Sequence, residues 1–439
     1  MTSLPLLREK AEGIYRAAVG AADAGMAVTD ALRRDCIPLD RWPKVHVVAV
    51  GKAACAMAEA TIAFLPPASL AGEGLVVTNR ENVRPVHRCR VLAAGHPLPD
   101  QAGAVAAAEL TDRVARATKG DLILVLISGG SSSLLPAPVP GVSLDDKIAT
   151  TRLLLGCGAD ISEINTVRKH LSLLKGGGLV RMAYPVAVGA LILSDVAGDD
   201  LSVIGSGPTV PDPTTFTDAV MVLRRHETWD QVPTSVRRHL AAGAAGKRPE
   251  TPKPGDEALT LATNIVLGGN RLGLQAAVRG CNREGFPARI FDSSMSGEAR
   301  DAAKKLAAAA YEAITSSSPL ALVAGGETTV RLRGSGQGGR NQELALAFAL
   351  ATETIALRQR WVLLSGGTDG RDGPTDAAGG IVDPQTLDRI RSAGHDPLAL
   401  LNNNDSYRAL SAAGDLLITG PTGTNIGDIQ ILLVSSVPA

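Results

Sequence analysis

The residues best suited to chemistry in this chain are cations and carboxylates set beside glycine-rich turns. Lys52 stands in Gly51-Lys52-Ala53-Ala54, directly after the apolar run 45–50 and at the start of an alanine-rich helical pattern. A lysine charge is unfavourable at a helix N-terminus unless an anion is present, so Lys52 reads as an anion-facing group or as a solvated surface lysine. Arg340 follows Gly334-Ser335-Gly336-Gln337-Gly338-Gly339 and opens the helical pattern 342–351. Glycines let backbone N–H groups approach a ligand, a helix start adds partial positive charge, and a planar guanidinium suits phosphate or carboxylate. Gly338 and Gly339 are therefore phosphate-binding candidates, and Asn341 beside Arg340 is a substrate-contact candidate.

A second polar loop, Ser128-Gly129-Gly130-Ser131-Ser132-Ser133, follows the aliphatic run 121–127. Amides and hydroxyls in such a loop cradle phosphate, although a plain serine-rich turn has the same pattern. Asp195 ends the apolar run 187–193. There it reads as a metal ligand, a proton acceptor or a helix cap. Asp369, Asp372 and Asp376, interleaved with glycines, offer the oxygen ligands that Mg²⁺ prefers, with Asx turns as the competing reading. Asp195 and Asp369 are the metal candidates. Arg168, beside Lys169 and His170, is a further substrate contact, and Lys175 to Gly178 is a further phosphate-lining segment.

Several chemistries are disfavoured. Gly334-x-Gly336-x-x-Gly339 has dinucleotide spacing, but the next apolar strand, 361–364, ends in Ser365-Gly366-Gly367 rather than in the acid that would hold a ribose. No G-x-x-x-x-G-K-[ST] occurs, and Gly130-Ser131-Ser132-Ser133-Leu134 lacks the second glycine of a hydrolase elbow. Lys+Arg and Asp+Glu are both 44 and aromatics only 3%, which argues against a nucleic-acid or membrane-surface partner. Five scattered cysteines form no C-x-x-C pair, which fits buried thiols in a reducing compartment. No hydrophobic stretch has signal-peptide or membrane-span length, so a cytoplasmic protein is expected.

These groups must be positioned by strands and helices. Unbroken aliphatic runs at 45–50, 75–78, 91–93, 121–127 and 187–193 alternate with helical patterns, which predicts a parallel sheet covered on both faces. Helices are expected over 4–34, 101–117, 144–155 and 161–174. The Pro-rich stretch 227–260 predicts a domain boundary. Beyond it, strands are expected near 262–267, 288–292, 320–324, 361–364, 416–419 and 429–434. The Thr/Val/Arg alternation at 328–332 predicts one more. Ser128-Gly129-Gly130 and Ser365-Gly366-Gly367 both follow aliphatic strands, where α/β sheets bind ligands.

Taken together, Val50-Gly51-Lys52-Ala53-Ala54, Gly95-His96-Pro97-Leu98-Pro99-Asp100, Ser128 to Ser132 and Asn165 to Ser172 resemble the class II glycerate kinase family. So do Leu193-Ser194-Asp195-Val196, Ser206-Gly207-Pro208-Thr209, Gly338 to Glu343 and Ser365 to Gly370, in the family's order from about Gly51 to Gly427. The resemblance implies ATP- and Mg²⁺-dependent phosphorylation of D-glycerate, usually to 2-phosphoglycerate. It also implies two three-layer α/β/α domains flanking an active-site cleft: a Rossmann-like domain with a mainly parallel sheet over 1–240, and a MOFRL-type domain over 241–439. The family's catalytic lysine and arginine map onto Lys52 and Arg340; Asp195, from its own place at a strand end, is the candidate base or Mg²⁺ ligand. Members are often labelled hydroxypyruvate reductases, so NAD(P)H-dependent reduction is the alternative activity. A homodimer is the assembly considered.

Overall fold

The computed structural model describes residues 3–313, 319–355 and 360–435. The chain forms two compact units, one of Ala24–Ser194 with Asp199–Leu267, the other of Met1–Asp23, Asp195–Gly198 and Gly268–Ala439. The backbone thus crosses between them at 23/24, 194/195, 198/199 and 267/268, rather than at 240/241 alone.

The first unit is built on β1 (Val45–Val50), β2 (Gly74–Asn79), β3 (Cys89–Ala94), β4 (Leu122–Ile127), β5 (Ala187–Leu193) and β6 (Ala262–Gly268), in the order β3-β2-β1-β4-β5-β6. The pairs from β3 through β5 are parallel. Every residue of β4 is buried, as an aliphatic strand covered on both faces requires. Register matters for the site. Val45 pairs with Leu122 and Val50 with Ile127, so the turns that begin at Gly51 and Ser128 emerge side by side. The strand at 262–267, expected beyond the boundary, lies beside β5 in this first sheet.

The second unit carries β7 (Ala288–Met295), β8 (Leu320–Gly326), β9 (Trp361–Gly367), β10 (Gly379–Val382), β11 (Leu416–Leu417) and β12 (Asp428–Val434), ordered β11-β10-β9-β12-β8-β7. β7 and β8 are parallel and the other pairs antiparallel. Side-chain alternation sorts each strand between two cores. Leu322, Ala324, Trp361, Leu363 and Leu432 face one. Ala321, Val323, Val362, Leu364 and Ile431 face the other, which Leu7, Ala11, Ile14, Tyr15 and Ala18 of the first helix complete. Both units are α/β, as the sequence indicates, one sheet parallel and the other mixed.

Three local expectations change. The helix over 4–34 is two, Leu4–Gly20 and Ala24–Arg33, and they belong to different units. The helix from 161 stops at His170. No strand forms over 328–332; a single bridge joins Glu298 to Thr329. Leu332 there is 79% exposed, so the alternation has no face to bury. β10 goes unseen in the sequence because it is short and begins with two glycines.

Candidate functional site

In the first unit the turns after β1 and β4 lock together. Lys52 N–H donates to Gly129 O (2.9 Å), and Ala53 N–H to Ser128 Oγ (3.1 Å). A Cβ on Gly51 would overlap Ser128, so only glycine admits this approach. Lys52 is consequently delivered, part-buried, to the carboxyl end of the parallel sheet. Gly130, at φ +83°, closes the arrangement: its hypothetical Cβ would lie 3.1 and 3.2 Å from His96 Cδ2 and Nε2 and 3.4 Å from Lys52 Cγ. His96 and Lys52 therefore meet over the same glycine.

The serines behind it are wired inward. Ser132 and Ser206 hydroxyls share a 2.8 Å hydrogen bond, and Ser206 Oγ donates to Asn165 Oδ1 at 3.0 Å. Arg168 Nη2 and Lys175 Nζ both donate to the same oxygen, Ser132 O, at 3.0 and 2.8 Å. Lys147 Nζ donates to Leu171 O at 3.2 Å. Burial, then repulsion from Arg168, pushes Lys147 down to about 7. Burial lowers Arg168 to about 10, and burial with repulsion from Arg168 and Lys147 holds Lys175 well below the usual lysine range. Neutral carbonyls are a poor match for this much buried positive charge. Ser131 Oγ is buried with no hydrogen-bond partner among the described residues. Such a cradle suits an oxyanion.

The second unit differs in sign. The helix Arg340–Thr354 starts at Gly339, and the anion at its mouth is the protein's own Asp372. Asp372 Oδ1 accepts from Asn341 N–H (3.1 Å) and Oδ2 from Gln342 N–H (2.8 Å). A Cβ on Gly339 would overlap the Asp372 carboxyl, and one on Gly338 would overlap Ser406 Oγ. The loop's amides also turn inward: those of Arg333 and Gly334 donate to Asn404 Oδ1, Ser335 to Asn403 Oδ1, and Gln337 to Asp405 Oδ1. Gly338 and Gly339 thus serve close packing and an internal carboxylate, where the sequence suggested an open phosphate cradle. Burial pushes Asp372 up to about 7; Asp428 adds to the rise, and the Gln342 and Asn341 N–H groups oppose it.

Arg340 is a third exposed and doubly held: Nε donates to Asp428 Oδ2 (2.6 Å), Nη2 to Asp428 Oδ1 (2.9 Å) and to Glu327 Oε1 (2.7 Å). Burial opposes its charge, but Asp428 and Glu327 outweigh it and hold the guanidinium firmly protonated. Asn341 is 1% exposed and accepts from Ser365 Oγ (2.7 Å) and Gln430 Nε2 (3.3 Å). Its side chain belongs to an interior network and is not presented to a substrate. Asp369 Oδ1 accepts from Arg371 N–H at 3.0 Å, the Asx turn that competed with a metal role. Asp195 Oδ2 accepts from Asn425 Nδ2 at 3.2 Å, and its carbonyl lies 3.6 Å from a Cβ placed on Gly427, the residue before Asp428.

No group of three or more His, Cys, Asp or Glu among the described residues forms a ready metal cage. The carboxylates Asp195, Glu327, Asp369 and Asp428 nevertheless offer the oxygen donors that Mg²⁺ takes while retaining most of its water.

The structure brings Lys52, Gly129, Gly130, Ser131, Ser132 and Arg168 into one cradle, and Arg340 and Asp195 into the second unit's polar end. His96, Lys147, Ser206, Asp428 and Glu327 were not selected as site residues from the sequence. His96 and Ser206 stand within motifs that carry the family resemblance, and Asp428 had the signal of a carboxylate at the start of an apolar strand. The described cysteines are all free, and among the described residues no helix is long and apolar enough to cross a membrane.

Comparison with known proteins comes from sequence and from structure. Residues 10–241 match the family described as a domain of unknown function, DUF4147, and residues 320–428 match the MOFRL family. The chain is 44% identical over 398 residues to a glycerate 2-kinase of Pyrococcus horikoshii, covering 90% of this chain and 88% of that protein. It is 41% identical over 433 residues to an Agrobacterium vitis protein whose name carries hydroxypyruvate reductase as an unproven activity, covering 97% and 94%. A crystal structure of glycerate kinase from Thermotoga maritima superposes with TM-score 0.82 at 41% identity, covering 98% of this chain and 99% of that one.

Proposed function

We propose, from the premise that this chain belongs to the glycerate kinase family built from DUF4147 and MOFRL regions, that it transfers the γ-phosphoryl group of ATP to the 2-hydroxyl of D-glycerate. The observation that carries this reading is the convergence of Arg168 and Lys175 on Ser132 O. A buried cationic cradle at strand ends fits an anionic substrate far better than it fits a solvent-filled turn.

Phosphoryl transfer asks a protein mainly for positioning and for fixed positive charge where negative charge develops. Lys52, whose backbone is fixed by the Gly51–Ser128 contact, supplies a point charge. Arg168 and Lys175 hold the oxyanion end against the serine loop. Arg340 supplies a second charge whose orientation Asp428 and Glu327 fix. Asp195 either accepts the glycerate hydroxyl proton or holds Mg²⁺ with neighbouring oxygens. Bound Mg²⁺ would neutralise charge on the nucleotide phosphates.

The hydroxypyruvate reductase reading depends on a dinucleotide loop, and the amides of 333–337 are already used by Asn403, Asn404 and Asp405. The test is one pair of assays on the full chain. ADP release should require both D-glycerate and Mg²⁺, and ³¹P NMR should identify 2-phosphoglycerate. Oxidation of NADH or NADPH by hydroxypyruvate, without glycerate-dependent ADP release, would overturn the proposal.

A further inference from the structure

A pocket of about 340 Å³ opens in the first unit, and of the residues assigned to turnover only Lys175 lines it. Its walls combine an apolar body with cations. Phe216 lies against two imidazoles, with centroids 4.7 Å from His170 and 5.5 Å from His239. Lys169, Arg181 and Arg248 bring positive charge. Glu250 is the one carboxylate in the lining. It is already engaged, by His170 Nε2 (3.2 Å), by Phe216 N–H (2.9 Å) and by Lys253 (3.4 Å).

The cations are not equally committed. Lys169 is paired with Asp212 (3.3 Å) and Arg181 with Asp256 (2.9 Å). Arg248 is exposed and has no hydrogen bond or ion pair with another described residue. Burial holds His239 below the usual imidazole value and the Arg248 charge adds to it; Arg248 itself is part of the pocket lining. An entering group therefore meets uncompensated positive charge beside an aromatic and aliphatic floor. That pairing selects an organic anion: a small molecule with a phosphate or carboxylate on an apolar or planar body.

We propose that this pocket is a second ligand site, for a small organic anion, distinct from the groups that carry out phosphoryl transfer. Lys175 couples it to the cradle. Lys175 belongs to the pocket lining, and its Nζ donates to Ser132 O. An anion in the pocket competes for that ammonium, shifts the Ser132 loop, and so changes the affinity of the cradle by linkage.

The experiment titrates full-length protein calorimetrically with ATP, 2-phosphoglycerate and inorganic phosphate. It compares wild type with Arg248→Glu, which reverses the wall charge, and Met182→Trp, which fills the floor. At least one organic probe should bind wild type with a second equivalent, and that equivalent should weaken at least tenfold in both variants. Their KM values for ATP and glycerate, measured without added effector, should stay within twofold of wild type. A single equivalent for every probe, or unchanged binding in both variants, would overturn the site. A second equivalent for inorganic phosphate alone would overturn the organic-body assignment. A tenfold rise in KM for ATP in Arg248→Glu would overturn its separation from turnover and make the pocket part of the donor site.

Discussion

Arg340 and Asp428 form a two-point ion pair, Nε to Oδ2 at 2.6 Å and Nη2 to Oδ1 at 2.9 Å, with Asp428 only 1% exposed. The fork geometry fixes the guanidinium plane and leaves its orientation to a buried carboxylate. Arg340 is thus a positioned charge, and its variants should report on folding as well as on turnover.

Arg340→Ala should lose at least ~100-fold in turnover, the scale of a lost preorganised donor. It also strands Asp428, at a cost toward the lower end of about 3–5 kcal/mol because Arg340 itself is part-exposed. The double variant Arg340→Ala/Asp428→Asn should recover stability but not activity. Thermal unfolding and steady-state kinetics on wild type and the two variants separate the two effects; full activity in Arg340→Ala would remove this arginine from the reaction.

Lys52→Ala should likewise lose at least ~100-fold in kcat with little change in melting temperature. Gly130→Ala is the finer probe. At φ +83° an alanine is strained by roughly 1–3 kcal/mol, and its methyl would press on His96 and Lys52. Activity should fall more than the stability loss explains, by tenfold or more at temperatures where the variant is fully folded.

Arg168→Met and Lys175→Met remove a part-buried and a buried cation from a site with no carboxylate bonded to either. Apolar replacement of buried charge is often neutral or stabilising, so both variants should melt at or above the wild-type temperature while KM for ATP or glycerate rises tenfold or more. Destabilisation with normal KM values would show that the pair serves folding alone.

Two buried groups give opposite pH signatures. Asp372 is raised to about 7 from 3.8, so the fold holds a proton that the unfolded chain releases, and stability falls as pH rises from about 4 to 7. Lys147 is lowered from 10.5 to about 7, so the unfolded chain holds the extra proton, and stability rises with pH between those values. Asp372→Asn should flatten the acidic slope of melting temperature against pH, and Lys147→Met the alkaline one. An unchanged slope in either variant refutes the corresponding assignment.

Asp195→Asn separates the two roles left open for that carboxylate. A metal ligand predicts a higher Mg²⁺ requirement with much activity recovered at saturation. A proton acceptor predicts a loss that Mg²⁺ does not rescue and that removes the acidic limb of the rate–pH profile.

Much of the fold was legible because aliphatic strands announce themselves. Leu122–Ile127 and Ala187–Leu193 are buried along almost their whole length, as strands of a sheet covered on both faces are. Lys52 was legible for a similar reason: a cation at a helix start, after a strand, carries its own electrostatic question. The Arg340 loop misled in part. Its glycines have the spacing that admits a ligand backbone, yet Gly338 and Gly339 make room for Ser406 and Asp372, which lie tens of residues away in sequence.

The sequence by itself determined the alternation of elements, the strand ends at which Lys52, Ser128 and Asp195 stand, and the ordered motifs that mark the family; Ser365, expected just past a strand, is paired inside β9. Those are local properties, set by periodicity and by which residues flank a turn. Only the tertiary structure decided what each group faces: that Asp372 fills the helix mouth beside Arg340, that Asn341 is interior, and that Arg168 and Lys175 share one carbonyl. Contacts of that kind depend on strand register and on packing between distant segments, where a displacement of one residue reverses which side chain is inside.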